Sequence, residues 1–353
     1  MSSDYSIDFL KQLLGTVSPS GDEVAAAAVW RNEAKTFADD VHTDINGNTY
    51  AVLNGGTPRI LLAGHIDEIG IMVSYISDDG YLFFSGVGGW DSQVLVGQRV
   101  RLLGRHGHVI GVIGKRPIHT LKATERENVS QIDDLWIDIG VKSRDEAMEL
   151  VRVGCTGVID ANPYELPNNR IVARGLDNRI GAFTVLEVVR KLSQQRPTAT
   201  VAAVATCQEE ITMAGAATSA FSFEPQVAIV VDVTHATDYP DTDKKRLGDI
   251  RLGSGPVIER GSANSPVLHT MLLDVAEKLE IPYGVGISPR YTGTDADSIS
   301  VSRAGVATTV VSIPNRYMHS PNEMIDVGDV EKAIELIAAL ILSISETTDF
   351  TPR

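Results

Sequence analysis

The sequence has 353 residues, of which 43% are hydrophobic and 22% charged, and its formal net charge is −15. This length exceeds what one hydrophobic core usually serves, so we expect a large domain and a smaller one. The negative charge argues against nucleic-acid or anionic-membrane partners, because binding them depends on basic residues that neutralise phosphates. No apolar run approaches the ~18 residues of a membrane-spanning helix, and residues 1–4 lack a signal-peptide pattern. Two cysteines fit no disulfide framework, so we expect a cytoplasmic protein.

The first part of the chain predicts two helices followed by short strands. The predicted elements are helices over 6–14 and 24–37, a hairpin over 41–53 and a buried strand over 59–65. Ser20 and Glu23 form a capping-box pattern ahead of the second helix. The strand ends on His65, and Asp67 follows two residues later.

Between residues 71 and 160 the pattern changes to short alternating strands separated by glycine turns. The predicted strands cover 71–76, 81–85, 99–103, 108–111 and 135–139. We expect a small β-barrel here, inserted between residues 1–70 and 161–353, which should fold together as one catalytic domain. The insert contains a long polar segment, 116–133, and such connections are usually functional or disordered.

Alternation of strands and helices resumes after residue 161. The predicted elements are strands over 171–173, 200–206, 227–232 and 307–313 and helices over 176–192, 214–221, 265–279 and 327–344. We therefore expect an α/β fold in which a mixed sheet is sandwiched by helices. Ligands of open parallel sheets bind outside the carboxyl ends of the strands, so functional side chains should lie there.

Residues with metal-binding side chains follow these predicted strands. They are His65, Asp177, Glu209, Glu210, Asp232 and His319. Imidazoles and carboxylates without cysteine suit catalytic Zn²⁺, Co²⁺ or Mn²⁺ better than a structural zinc. Three of these four carboxylates would leave one positive charge on two divalent ions, which a bound hydroxide would neutralise. This balance predicts a two-metal hydrolase.

Two acidic residues beside the candidate ligands have predicted supporting roles. Asp67 is close enough to His65 in sequence to orient its imidazole. Glu209 could take the proton of the attacking water and pass it to the leaving amine.

Five segments carry a family resemblance: 64–70 (GHIDEIG), 176–179 (LDNR), 208–210 (QEE), 231–234 (VDVT) and 316–321 (RYMHSP). They resemble the tetrahedral, dodecameric (TET-type) aminopeptidases, also called glutamyl aminopeptidases or endoglucanase-M-like proteins, and the resemblance covers nearly the whole chain. It implies a zinc-exopeptidase-like fold in which His65 and Asp232 bind one metal and Asp177 bridges. It further implies that Glu210 and His319 hold the second metal and that Glu209 is the general base.

The resemblance also implies an activity and an assembly. We expect an aminopeptidase that removes N-terminal residues from peptides with two divalent ions per chain, Zn²⁺ or Co²⁺ with Mn²⁺ as an alternative. In the family the inserted domain builds dimers, and six dimers close into a hollow tetrahedral particle. We therefore expect dimers and a homododecamer, with 116–133 either disordered or reaching a neighbouring site.

Two other functions stay open at this point. A glycoside hydrolase would need two carboxylates ~5–10 Å apart without a metal, a scheme that leaves the histidines without a role. A non-catalytic binding protein on the same fold would lack a ligand or the base. Residues 211–215 depart from the run that relatives often carry, which leaves the preferred N-terminal residue open. His235 follows Asp232 closely and is a candidate for the cleft wall, and the resemblance implies that the segment 290–295 lies near the cleft.

Overall fold

The computed structural model describes residues 6–353. Its helices are α1 (Ile7–Gly15), α2 (Val24–Ala34), α3 (Ser92–Leu95), α4 (Arg144–Leu150), α5 (Leu176–Gln194), α6 (Glu209–Thr212), α7 (Ala214–Phe223), α8 (Lys244–Leu247), α9 (Pro266–Lys278), α10 (Ala296–Ser300) and α11 (Val327–Ser343). Its strands are β1 (Asp40–Thr43), β2 (Thr49–Leu53), β3 (Gly56–His65), β4 (Gly70–Ile76), β5 (Leu82–Val87), β6 (Arg99–Gly104), β7 (Gly107–Gly114), β8 (Trp136–Asp138), β9 (Thr156–Ile159), β10 (Tyr164–Leu166), β11 (Arg170–Ala173), β12 (Ala199–Thr206), β13 (Val227–His235), β14 (Val257–Gly261), β15 (Gly284–Ser288), β16 (Ala307–Asn315) and β17 (Glu323–Asp326). Within this range no helix is long and apolar enough to cross a membrane.

The largest sheet of the described chain has eight strands in the order β1-β2-β12-β3-β13-β16-β14-β15. Its central strands β12, β3, β13 and β16 are parallel, whereas β2 and β14 join it antiparallel. Every residue of β12 is buried, as expected for a strand covered on both faces. Because parallel strands end at one edge, the residues after β3, β12 and β13 meet there.

Helices cover both faces of this sheet. On one face α5 packs on β3 and β13 and shares a large core with α1, α2, α9 and α11. On the other face α7 and α10 cover a smaller core. The contact between α5 and β3 requires glycine, because a Cβ on Gly64 would lie 2.5 Å from the carbonyl carbon of Gly181. A mixed sheet between two helical layers confirms the predicted fold class.

Strands β4 to β9 form a closed antiparallel barrel in the order β4-β5-β8-β7-β6-β9, with a core of its own. The barrel part of the predicted fold is therefore confirmed. Strand β9 was not predicted, because four residues carrying one glycine give too short a period-2 pattern. The division of the chain at residues 70/71 and 160/161 stays a prediction.

The polar segment 116–133 connects β7 to β8. It contains short 3₁₀ turns at Ile118–Thr120 and Ala123–Glu125, and a third begins at its end, Ile132–Asp134. Ser130 ties the segment to the barrel: its carbonyl accepts a bond from Ser92 Oγ at 2.5 Å, and its hydroxyl accepts one from Lys115 Nζ at 2.9 Å. The expected disorder or contact with a neighbour stays a prediction.

The capping box predicted for Ser20 and Glu23 is wrong. Glu23 stands at the N-cap of α2, but its side chain binds no N–H of that helix, and α2 ends at Ala34 rather than residue 37. The Glu23 carboxylate instead accepts the N–H groups of Gly21 at 2.6 Å and Gln208 at 3.1 Å. A residue read as a local helix cap therefore anchors the segment that precedes Glu209.

A buried ion network fixes the chain that follows β3. Glu68 accepts hydrogen bonds from Arg174 and from Arg179, the latter at 2.8 Å. Arg179 is fully buried and also donates to the carbonyls of Ile66 at 3.2 Å and Thr16 at 2.6 Å. Because breaking a buried ion pair leaves an uncompensated charge, this network should hold residues 66–68 firmly against α1 and α5.

Candidate active site

The structure brings all the predicted candidate ligands to one cleft at the carboxyl edge of the main sheet. The cleft has a volume of about 580 Å³, and its walls include His65, Asp177, Glu209, Glu210, Asp232 and His319. His235 and residues 292–294 also line it, as expected. The chain exits of the sheet therefore converge on one site.

His65 is the last residue of β3 and is 1% exposed. Its Nε2 faces the cleft, 3.2 Å from Asp177 Oδ1 and 3.7 Å from Glu209 Oε2. Its Nδ1 lies 3.2 Å from the carbonyl oxygen of Asp67 and 3.4 Å from that residue's Oδ1. A proton held on Nδ1 by these oxygens leaves the Nε2 lone pair free for a metal ion.

Asp67 has a second set of contacts that the sequence did not predict. Its Oδ1 accepts the N–H of Glu209 and its Oδ2 accepts the N–H of Glu210, each at 3.2 Å. Burial opposes its ionisation, but the contacts with His65 and the Glu210 N–H prevail and lower the pKa of Asp67. One buried carboxylate thus ties the end of β3 to the start of α6.

Asp177 comes from the irregular start of α5, not from a strand of the main sheet. The expectation that it follows a strand equivalent to the others is wrong, because β11 belongs to a separate sheet with β10 and β17. Asp177 and Asn178 have non-helical dihedral angles. The Asn178 side chain accepts the N–H of Gly181 at 2.9 Å and donates to the Val231 carbonyl at 2.8 Å. This amide fixes the first turn of α5 against β13.

His319 lies in the loop between β16 and β17 with a positive φ of 58°. Its Nε2 is 3.3 Å from Asp177 Oδ2 and 3.5 Å from Glu210 Oε2. Glu323, which is 2% exposed, accepts the N–H of His319 at 3.1 Å and the N–H of Asp177 at 2.7 Å. Burial raises the pKa of Glu323, whereas the two N–H donors lower it. Each oxygen of Glu323 accepts one N–H group, so we take the side chain as ionised.

Burial and neighbouring acidic groups raise the pKa values of Glu209, Glu210 and Asp232. Burial, reinforced by Asp295 and Asp177, raises the pKa of Glu209 to about 8 even though His65 opposes the shift. Burial and Asp177 likewise raise the pKa values of Glu210 and Asp232 well above the usual range. No Lys or Arg lines this cleft in the described part of the chain. Bound cations would remove this mutual repulsion.

The donor atoms fit divalent metal ions. Two groups of three residues offer ligand atoms within 4.8 Å of one another, His65 with Glu209 and Asp232, and His65 with Asp177 and Glu210. Among the described residues, Glu210 Oε1 is buried and has no hydrogen-bond partner. A buried carboxylate oxygen without a donor is costly unless a cation binds it. Nitrogen and oxygen ligands of this kind suit Zn²⁺, Co²⁺ or Mn²⁺.

The sequence profile of the M42 glutamyl aminopeptidases matches residues 47–336. The chain belongs to the M42 family. A lysyl aminopeptidase of Pyrococcus furiosus is 39% identical to this M42 chain over 321 residues, covering 90% of the chain and 91% of the relative. Membership makes the chain a metal-dependent hydrolase of the aminopeptidase class, which confirms the resemblance and the predicted enzyme class.

Solved structures agree with this membership. The crystal structure of a TET aminopeptidase from Thaumarchaeota archaeon SCGC AB-539-E09 matches with a TM-score of 0.92 and 35% identity, covering 96% of each chain. The Pyrococcus horikoshii TET1 peptidase matches with a TM-score of 0.86 and 32% identity, covering 96% of this M42 chain and 99% of that one. The latter protein can assemble into a tetrahedron or a large octahedral shell.

Several residues that support the site were not predicted. Glu23, Asn178, Asp295 and Glu323 all contact the segments that carry candidate ligands. Asn178 and Asp295 lie in the segments 176–179 and 290–295, and Glu323 stands four residues after His319. No local pattern indicated the contacts that these three residues make. Glu23 reaches Gln208 across 185 positions of sequence, so no local pattern could have indicated that contact.

Proposed function

We propose that this M42 chain removes N-terminal residues from peptides at a centre of two divalent metal ions. One observation carries the proposal: the two oxygens of Asp177 face different histidines, Oδ1 at 3.2 Å from His65 Nε2 and Oδ2 at 3.3 Å from His319 Nε2. A carboxylate presented to two imidazoles in this way suits a ligand shared by two ions.

The remaining ligands divide between the two sides of Asp177. His65 and Asp232 would hold one ion, because both lie in one group of donors. Glu210 and His319 would hold the other, because Glu210 Oε2 is 3.5 Å from His319 Nε2. Zn²⁺ and Co²⁺ fit these ligands, with Mn²⁺ as an alternative, since nitrogen and oxygen donors discriminate weakly among them.

Glu209 is the proposed general base. When bound, the ions would polarise the scissile carbonyl and make water more acidic. The Glu209 carboxylate points to the same side of His65 as the candidate ligands and is mostly buried, so it can accept the proton of the attacking water. It would then deliver that proton to the departing amine. Asp67 keeps Glu209 and Glu210 in place through their N–H groups.

The alternative functions fit the site less well. A glycosidase would leave two imidazoles among its carboxylates without a role. A binding protein that had lost its activity should lack a ligand or the base, and the described cleft contains every candidate. We also propose a cytoplasmic location, because both buried cysteines are unpaired.

The proposed assembly is a dimer built through residues 71–160 and a tetrahedral dodecamer built from six dimers. Similarity to the TET1 peptidase, which can assemble into a tetrahedron or a large octahedral shell, supports this proposal. A closed particle with inward-facing sites would restrict its substrates to unfolded peptides. The segment 116–133 would then lie near a neighbouring site.

Replacing Glu209 by Gln tests the catalytic assignment. The amide keeps the size and hydrogen bonding of the side chain but cannot take a proton, so we expect turnover to fall roughly 10²- to 10⁴-fold at unchanged metal content. Turnover is measured with aminoacyl chromogenic substrates and metal content by elemental analysis. Near-normal turnover in a metal-loaded Glu209→Gln variant would remove Glu209 from the mechanism.

A further inference from the structure

A second cavity of about 370 Å³ adjoins the active-site cleft. The two share the wall residues Val233, Thr234, Thr292 and Thr294, so they lie side by side. The second cavity lies over β13, β16, β14 and β15 on the face of the sheet that carries Asp232. This follows from the register, because Asp232 pairs with Ser312 on β16 and Ser312 pairs with Val257 on β14. Paired residues of neighbouring strands point to the same face.

Glu259 lines this cavity and is only 7% exposed. It stands two residues after Val257 on β14, so its side chain points to the same face as Asp232. Its Oε1 is 3.5 Å from Ser312 Oγ and its Oε2 is 3.4 Å from Ser288 Oγ. Both distances lie beyond the usual range for hydroxyl hydrogen bonds, so these contacts are weak.

The Glu259 carboxylate has no cationic partner in residues 6–353. Burial raises its pKa, and the only groups that oppose this shift are the two serine hydroxyls. A buried carboxylate without a cation or strong donors is unfavourable, and such groups in clefts are candidates for ligand recognition. The cavity therefore offers a negative site that a positively charged group could satisfy.

The surroundings of Glu259 leave room for such a group. Gly286 is its direct neighbour on β15, and a Cβ at this glycine would collide with the Glu259 carboxylate. Asp232 lies two strands away and two residues nearer the carboxyl edge, which corresponds to ~12 Å at the usual strand spacing and rise. A lysine side chain places its ammonium ~6 Å from Cα through five bonds of ~1.5 Å. The side chain of an N-terminal lysine on a peptide bound beside Asp232 could therefore reach Glu259.

We infer that Glu259 forms the base of a specificity pocket that selects peptides with an N-terminal lysine or arginine. This inference rests on the proposed aminopeptidase function and adds the substrate class. The cationic side chain would enter between Thr234 and Thr294, lie along the cavity, and form an ion pair with the carboxylate at its end. The Glu259 carboxylate is already buried, so a cation beside it would supply the charged partner that it lacks.

Basic residues in the wall of the cavity raise a competing possibility, the selection of an acidic N-terminal side chain. Lys244, Lys245 and Arg246 line it from α8, and all three are exposed. Lys244 Nζ is already bound to Asp249 at 2.7 Å. Exposed charges act through water and are screened by salt, whereas a buried carboxylate acts at short range in a low dielectric. We therefore expect an acidic N-terminal side chain to be disfavoured by Glu259 rather than selected by α8.

The test compares lysyl and norleucyl p-nitroanilides, because norleucine matches most of the lysine chain without its charge. The metal-loaded wild type should show a higher kcat/KM for the lysyl and arginyl substrates than for the norleucyl one. In Glu259→Gln the ratio of lysyl to norleucyl kcat/KM should fall about 10- to 100-fold. Glu277→Gln is the matched control, since this residue is exposed on α9 across the sheet, and its ratio should equal that of the wild type.

The outcomes separate the two proposals. Hydrolysis of none of the aminoacyl substrates by the metal-loaded wild type would overturn the proposed function and this inference with it. Hydrolysis with a lysyl to norleucyl ratio near one, or with a preference for glutamyl substrates, would overturn the inference alone. This wild-type comparison needs no variant, so it tests the inference even if the Glu259→Gln protein does not fold. An unchanged ratio in a folded Glu259→Gln protein, shown by thermal melting, would also overturn it.

Discussion

Replacing Asp67 by Asn would test how the active site is held together. Both oxygens of Asp67 accept N–H groups, one from Glu209 and one from Glu210, each at 3.2 Å. Asn has a single carbonyl oxygen, so its amide group would face one of the two N–H donors. A hydrogen bond to a charged acceptor contributes about 1.5–3 kcal/mol. We therefore expect Asp67→Asn to weaken the hydrogen bonds that hold α6 beside His65 by about 2–3 kcal/mol in total.

The loss should appear in metal affinity, because Asp67 also lies 3.4 Å from His65 Nδ1 and acts on candidate ligands from two segments. Changes in groups that support ligands typically weaken metal binding 10- to 100-fold. Calorimetric titration of the metal-free protein with Zn²⁺ or Co²⁺ measures this affinity. Asp274→Asn, on an exposed position of α9, is the matched control and should bind as the wild type does. Equal affinity in a folded Asp67→Asn protein would refute this reasoning.

Three further predictions concern other parts of the chain. Glu323→Gln should weaken metal binding in calorimetric titration, because Gln can accept only one of the N–H bonds from Asp177 and His319; unchanged affinity would show that Glu323 does not position them. Burial raises the pKa of Cys155 to about 11 from the usual 9.0. At pH 8 the fraction of Cys155 present as thiolate, and with it the rate of alkylation, should be roughly 100-fold lower than for a free thiol. Mass spectrometry measures this rate, and labelling as fast as in the unfolded chain would contradict the burial. Light scattering should give a mass near twelve times 38.0 kDa, and the mass of a single chain would defeat the assembly.

The strand exits were predictable because their signals are local. His65, the Glu209–Glu210 pair and Asp232 each end or follow an apolar run long enough to mark a buried strand. In a parallel arrangement such runs end at one edge of the sheet, so their convergence follows from topology. The family resemblance then supplied the roles that these patterns left open.

The remaining parts depend on contacts that the sequence does not display. Asp177 lies at a helix start whose shape is fixed by Asn178 bonding to the Val231 carbonyl, a partner 53 residues away. Strands β14 and β15 were missed, because each is five residues long and carries glycine, and their pairing becomes evident only in the folded sheet. Glu259 belongs to one of these strands, so the cavity beside the active site could not be predicted either.

The most direct test of the central claim is elemental analysis of the purified chain combined with an activity assay during chelation and reconstitution. We expect close to two transition-metal ions per fully active chain, with peptidase activity lost as the ions are removed and recovered when Zn²⁺, Co²⁺ or Mn²⁺ is added back. Full activity on aminoacyl substrates with no bound metal, or with only one ion per chain, would contradict the two-metal centre formed around Asp177.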